Sequence, residues 1–205
     1  NVVENITPLE FLHKYVPYHI KDPICIINYP CKTYYKMYNV QYSSNMIEKK
    51  KENYINIPID TIIDIIKKSI DNKEAVWCGI DKTKFISKQH GILDKNAFNY
   101  KDIFNFDNTL DKCSSLKYRL SLPNHAVMIK GYNLNKGKTK GFLVENSWGE
   151  KSGFKGNYFM SLEWFKDFGY EIVIDKKYVS KKILNVLKTK PILLPFNDPF
   201  DTLMK

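Results

Sequence analysis

Two apolar stretches constrain the fold of this chain more than any other feature. The first, Asn124-His125-Ala126-Val127-Met128-Ile129-Lys130-Gly131-Tyr132, opens with a histidine. The second, Val144-Glu145-Asn146-Ser147-Trp148-Gly149, runs from an apolar segment into an Asn-Ser-Trp-Gly turn. Short β-prone runs separated by a turn signal, here Asn135-Lys136-Gly137, predict antiparallel neighbours. Such pairing brings His125 and Asn146 to one end of a sheet although they stand 21 positions apart (146 − 125).

That pairing has a chemical meaning. A cysteine nucleophile needs an imidazole within hydrogen-bond reach and a third group that holds the imidazole in one tautomer. An amide suits the third role, because its carbonyl oxygen accepts from one ring N–H and adds no charge that would overstabilise the imidazolium. Trp148 is placed to cover the His125–Asn146 bond and exclude water, which strengthens it. Gly149 permits a tight turn. A histidine opening an apolar strand is ordinarily structural; the turn, the chain order and the spacing together point to a catalytic pair.

None of the four cysteines has the setting of a nucleophile. Cys25 and Cys78 lie in apolar, strand-like segments, Cys31 follows Pro30, and Cys113 sits in Lys-Cys-Ser-Ser. A thiol in an apolar strand has a raised pKa and is inert. Gln41 and Gln89 lack the context of an oxyanion-stabilising donor. The nucleophile is therefore expected in an upstream segment. The first residues, Asn1-Val2-Val3-Glu4-Asn5, lack an initiator Met and the basic and apolar regions of a signal peptide. On this reading the chain starts inside a longer product, in the cytoplasm, with all four cysteines reduced.

The remainder reads as one globular unit. At 205 residues and 43% hydrophobic content the chain can bury a sizeable core, and no apolar run approaches the roughly 18 residues of a membrane span. The net charge of +10 raises a nucleic-acid or scaffolding role. Against it, Arg119 is the only arginine, and the densest run, Glu48-Lys49-Lys50-Lys51-Glu52, is diluted by its own glutamates. The charge reads as lysine-biased composition. His13, His19, His90 and His125 are scattered, and no Cys-x-x-Cys spacing occurs, so neither metal nor cofactor is expected.

Before the histidine, Thr7-Pro8-Leu9-Glu10 reads as a capped helix start. Ile24-Cys25-Ile26-Ile27 and Ala75-Val76-Trp77-Cys78-Gly79-Ile80 read as buried strands. Pro58 to Ile70 is the clearest helix, with Ile59, Ile62, Ile63, Ile66 and Ile70 at helical spacing. Residues 97–122 show no regular pattern. Beyond it, strands are predicted over 125–132, 142–146, 157–161 and 170–174. Helical turns are predicted at Ser161–Phe165 and, capped by Ser180, at Val179–Leu187. Prolines 191, 195 and 199 predict an extended tail.

These segments resemble the bleomycin hydrolase and aminopeptidase C family of papain-like cysteine peptidases. Val144-Glu145 before Asn146 carries the resemblance beyond the general papain-like motif. So do Thr7-Pro8-Leu9-Glu10-Phe11, Tyr42-Ser43-Ser44-Asn45-Met46, Glu74-Ala75-Val76-Trp77, Gly91-Ile92-Leu93-Asp94, Tyr170-Glu171-Ile172-Val173-Ile174-Asp175, Leu194-Pro195 and Asp198-Pro199. Arg119, Leu120 and Pro123 depart from it.

The resemblance implies an α+β, papain-like fold, mainly the β-rich half that bears the histidine and asparagine, with helical additions. Residues 1–192 would be the C-terminal part of the catalytic module and 193–205 a tail entering the active-site cleft. It implies a thiol aminopeptidase acting on peptides, assembled as a homo-hexamer, whose N-terminal part carries the nucleophile. Leu203, Met204 and Lys205 would then gate the substrate's free amine. The alternatives are a non-catalytic basic scaffold or nucleic-acid-binding ring on the same fold, and a separately stable subunit that pairs with a cleaved N-terminal chain.

Overall fold

The computed structural model describes residues 4–15, 23–43, 52–105 and 110–200. In chain order the elements are α1 (Pro8–Tyr15), β1 (Ile24–Ile27), β2 (Lys36–Val40), β3 (Tyr54–Asn56), α2 (Ile59–Asp71), β4 (Val76–Ile80), β5 (Ile86–Ser87) and β6 (Ile92–Leu93). They continue with α3 (Tyr100–Phe104), α4 (Lys112–Lys117), β7 (His125–Asn135), β8 (Lys138–Glu145), β9 (Asn157–Ser161), α5 (Leu162–Phe168), β10 (Gly169–Ile174), α6 (Lys181–Val186) and β11 (Ile192–Leu194). The strands form one mixed sheet in the order β11-β2-β3-β1-β10-β4-β7-β8-β9-β6-β5. The expected α+β class holds.

Local chemistry explains the elements that frame the site. At α1, Thr7 N donates to Glu10 Oε2 at 2.8 Å and Glu10 N donates to Thr7 Oγ1 at 3.3 Å, which is the reciprocal capping box the sequence predicts. On α2, Ile62, Ile63, Ile65 and Ile66 are buried while Asp64 faces solvent. That stripe packs on the sheet; each isoleucine withdrawn from water contributes about 2 kcal/mol. At α5, Ser161 caps by accepting from Trp164 N at 3.3 Å, and Trp164 is fully buried.

The structure departs from the sequence reading in several short segments. The sequence reading predicts no strand at β2, β3, β5 or β6; each is only two to five residues long, too short for a clear alternation. The span taken as irregular contains α3 and α4. Helix α4 is fixed by Asp111, whose side chain caps it by accepting from Ser114 N at 3.0 Å. Lys112 ties it to the sheet: its ammonium donates to Asn28 Oδ1 at 2.9 Å, to Lys166 O at 3.2 Å and to Gly169 O, and lies 4.6 Å from the centre of the Tyr170 ring. Burial pulls its pKa down to about 7.

The described part of the tail segment lies against the sheet. Ile192–Leu194 is a strand paired in parallel with β2, and beyond it Asp198 and Phe200 are buried. Its described part is therefore extended, as the prolines predict, and packed against the body. Leu203, Met204 and Lys205 lie outside the described residues, as do His19, Ser44-Asn45-Met46 and most of the lysine run at 48–52.

The expectation of four reduced cysteines is corrected. Cys31 and Cys113 form a disulfide, with Cα atoms 5.1 Å apart and 82 positions between them. The cause is tertiary: α4 packs beside the loop that follows β1, inside the separation a disulfide spans, and nothing local announces that contact. Closing so long a loop restricts the unfolded chain by about 4–5 kcal/mol in the chain-entropy description. Cys25 and Cys78 remain free. Alkylation of the denatured, unreduced chain should therefore modify two thiols and, after reduction, four. Four modifications without reduction would show that the bridge is absent.

Candidate active site

The register of three strands builds the site. β4 pairs antiparallel with β7, setting Ile80 opposite His125. β7 pairs antiparallel with β8, setting Met128 opposite Glu145. Asn146 is the first residue beyond β8 and lies beside the opening of β7. The expected pair meets: His125 Nε2 lies 3.0 Å from Asn146 Oδ1. A carbonyl oxygen can only accept, so Nε2 carries the proton and donates. Nδ1 is then the ring nitrogen with a free lone pair, the one able to take a proton from a nucleophile.

The turn after Asn146 supports this bond. Asn146 N donates to Gly156 O at 3.0 Å, and Gly149 adopts φ +78°, a conformation costly to any residue with a Cβ. Trp148 folds back so that its ring stacks on His125, centroids 4.9 Å apart and planes 29° apart. Behind it Tyr158, fully buried, meets the indole edge-on at 6.4 Å. Trp148 thus occupies the covering position that the sequence assigns to it.

Two lysines that sequence reasoning missed border this cover. Lys82 Nζ and Lys88 Nζ lie 5.1 Å and 5.2 Å from the Trp148 ring centre. Distances of this order allow cation–π attraction. Lysine is too frequent here for either to stand out in the sequence. Lys82 also acts on the histidine electrostatically. The His125 pKa lies below the ordinary imidazole value, chiefly because burial penalises the cation; the bond to Asn146 raises it, and the positive charge of Lys82 lowers it further.

The sign has two consequences. At neutral pH the imidazole is neutral and competent as a base. As pH falls below the ordinary imidazole pKa, the unfolded chain binds a proton before the folded one, so this residue erodes stability until pH passes the folded pKa.

The two free cysteines favour the neutral thiol. Cys78 is on β4, fully buried, and burial is the largest cause of its raised thiol pKa. Cys25 is pushed up to about 12, again mainly by burial, with Glu171 adding to it. Cys31 and Cys113 are bonded to each other. Among the described residues no group of histidines, cysteines and carboxylates is arranged to hold a metal ion. No helix among them is long and apolar enough to cross a membrane.

Comparison with known proteins gives the family and the fold. Residues 1–201 match the family model described as Peptidase C1-like. The chain is 37% identical to human bleomycin hydrolase over 206 residues, covering 97% of this chain and 45% of that protein. It is 35% identical to aminopeptidase C of Lactobacillus helveticus over 209 residues, covering 99% of this chain and 46% of that protein. The crystal structure of PepW from Lactobacillus rhamnosis superposes with a TM-score of 0.91 at 38% identity, covering 95% of this chain and 45% of that one. The fold is the papain-like one that the motifs imply, and the chain spans less than half the length of these relatives.

Replacing Lys82 by Met should raise the His125 pKa, because it removes a nearby positive charge and leaves the Asn146 bond in place. An NMR titration of the His125 ring checks this; an unchanged or lower pKa would contradict the electrostatic assignment.

Proposed function

Because the chain belongs to the Peptidase C1-like family, we propose that it is the C-terminal part of a cysteine-type aminopeptidase, supplying the base and its orienter to a thiol carried on an upstream segment. The observation that carries this reading is the 3.0 Å His125–Asn146 bond beneath Trp148. In the complete enzyme Nδ1 of His125 would take the thiol proton, and the thiolate would attack the peptide carbonyl. The imidazolium would then return its proton to the departing amine, leaving an acyl-enzyme. Water, deprotonated by the same nitrogen, would release the free residue. Asn146 keeps Nδ1 facing the reaction throughout, since a ring flip would break the Nε2–H bond.

The relatives' coverage of 45% and 46% and the inert cysteines support an upstream nucleophile. The disulfide argues against a reducing compartment, so a cytoplasmic location forms no part of the proposal.

The full-length protein should hydrolyse aminoacyl-coumarin amides, with turnover blocked by a thiol alkylator. His125→Ala should cost about 1,000-fold or more in kcat. Asn146→Ala should cost less, about 100-fold, because the base remains but is no longer oriented. Residues 1–205 alone should be inactive. Alkylator-sensitive turnover by this chain alone, lost on changing Cys78, would contradict the proposal.

Exopeptidase specificity is assigned to the tail. Its root is held firmly. Tyr29 OH donates to Asp198 Oδ1 at 2.9 Å, Lys32 pairs with Asp198 Oδ2 at 3.2 Å, and Arg119 Nη2 donates to Asn197 O at 2.5 Å. The Phe200 ring is buried between Tyr29 and Tyr54. An anchored root lowers the entropy lost when the last residues dock. The last residues, Leu203, Met204 and Lys205, are proposed to close the cleft so that the tail's terminal carboxylate meets the substrate's free amine through a charge-assisted hydrogen bond. Deleting residues 201–205 from the full-length protein spares the anchor. The melting temperature should hold while N-acetylated peptides become substrates. Continued rejection of blocked peptides would show that the tail is not the gate.

A further inference from the structure

Asp81 is among the most heavily hydrogen-bonded side chains of the described residues, and the catalytic constellation described above does not use it. It immediately follows β4, is 1% exposed, and makes no ion pair among the described residues. Its charge is met by five donors. Oδ1 accepts from Thr83 N at 2.9 Å, Thr83 Oγ1 at 2.6 Å and Asn124 Nδ2 at 2.7 Å. Oδ2 accepts from Ser121 Oγ at 2.8 Å and Leu122 N at 3.3 Å. Ser121 has one hydroxyl proton and gives it to Asp81, so in its 2.6 Å contact with Tyr170 the phenol is the donor. A buried carboxylate this well satisfied holds its donors firmly, because losing the acceptor strands several of them away from water.

Those donors are in the segment that leads into the base. Ser121, Leu122 and Asn124 lie within four residues of His125. The last backbone rung of the β4–β7 ladder is Ile80 opposite His125. One residue further on, Asp81 and Asn124 continue the ladder through side chains. Asn124 is tied on three sides: its N donates to Ile80 O at 3.0 Å, its Nδ2 to Asp81, and its Oδ1 accepts from Lys82 N at 3.1 Å. Asp81 is itself fixed from the other side, its N donating to Phe168 O at 2.9 Å. Asn146 fixes the far end of the imidazole, whereas this network fixes the backbone from which the side chain springs.

We propose that Asp81, acting through Asn124, is the positioning residue that sets the root of His125 and so the placement of Nδ1 against the nucleophile. The proposal rests on the reading of His125 as the catalytic base. It assigns Asp81 no contact with substrate.

The test uses the full-length protein with Asp81→Ala, Asp81→Asn and Asn124→Ala, reading kcat and KM separately, melting temperature, and amide hydrogen exchange. A misplacement of the base by about 1 Å costs up to about 100-fold in rate. Asp81→Ala and Asn124→Ala should therefore lower kcat by about 10- to 100-fold with KM little changed. The Asn124 and His125 amides should exchange faster while those of Val127 and Ile129 stay protected. Asp81→Asn should recover part of kcat, since its oxygen still accepts from Thr83 and Asn124, and Ser121 can reverse its hydroxyl; only Leu122 N–H loses its acceptor.

If Asp81→Ala does not fold, Asn124→Ala decides, because it removes the relay and leaves the carboxylate with four donors. Folded Asp81→Ala and Asn124→Ala proteins with wild-type kcat, or a fall in melting temperature alone, would overturn the proposal. Absence of turnover in the wild-type protein would instead refute the peptidase reading. Hydrogen exchange would then decide the Asp81 network by itself: unchanged protection of Asn124 and His125 in both variants would overturn it.

Discussion

The antiparallel register of β4, β7 and β8 is the constraint on which the site depends. Side chains alternate along a strand, so a slip of one residue sends each to the opposite face. A slip in β7 would turn His125 away from Asn146 and drive Met128, now exposed, into the place of Val127 or Ile129, both buried. The apolar core therefore enforces the polar geometry. Val76 faces Ile129 and Cys78 faces Val127 across one ladder; Ile129 faces Val144 across the next. All five are buried. Helix α2 lays its isoleucine stripe over this part of the sheet, so any shift in register also costs packing against the helix.

On that frame, small electrostatic effects select the chemistry. Burial under Trp148 and the nearby Lys82 hold the imidazole neutral, while Asn146 steers the proton to Nε2 without adding a charge. A carboxylate in place of Asn146 would favour the imidazolium and raise the ring pKa. The same burial acts on Cys78 on the neighbouring strand: an apolar environment favours the neutral form of both groups, lowering the histidine pKa and raising that of the thiol.

Much of this was legible in the sequence because the signals were local. The capping box at Thr7 and Glu10, the isoleucine spacing of α2, and the β-prone runs of β7 and β8 each lie within one element. The His125–Asn146 pairing was legible because the turn residues that close the two strands fix which ends meet. Other features were set by contacts between distant segments. The Cys31–Cys113 bridge depends on where α4 docks, and α4 is fixed by Lys112 reaching carbonyl groups of residues 166 and 169. Asp81 carries no local signal; its partners Ser121, Leu122 and Asn124 lie some forty positions later in the chain. Arg119, whose place in the sequence looked unusual, adopts φ +56° and holds the root of the tail.

The central claim is that Asn146 fixes His125 as the tautomer with Nε2 protonated and Nδ1 free. Nitrogen-15 chemical shifts of the His125 ring, recorded above its pKa, test it most directly. The account requires Nε2 to show the shift of a protonated nitrogen and Nδ1 that of a bare one, with the distinction lost in Asn146→Ala. A ring with the proton on Nδ1, or one whose tautomer ratio is the same with and without Asn146, would contradict it.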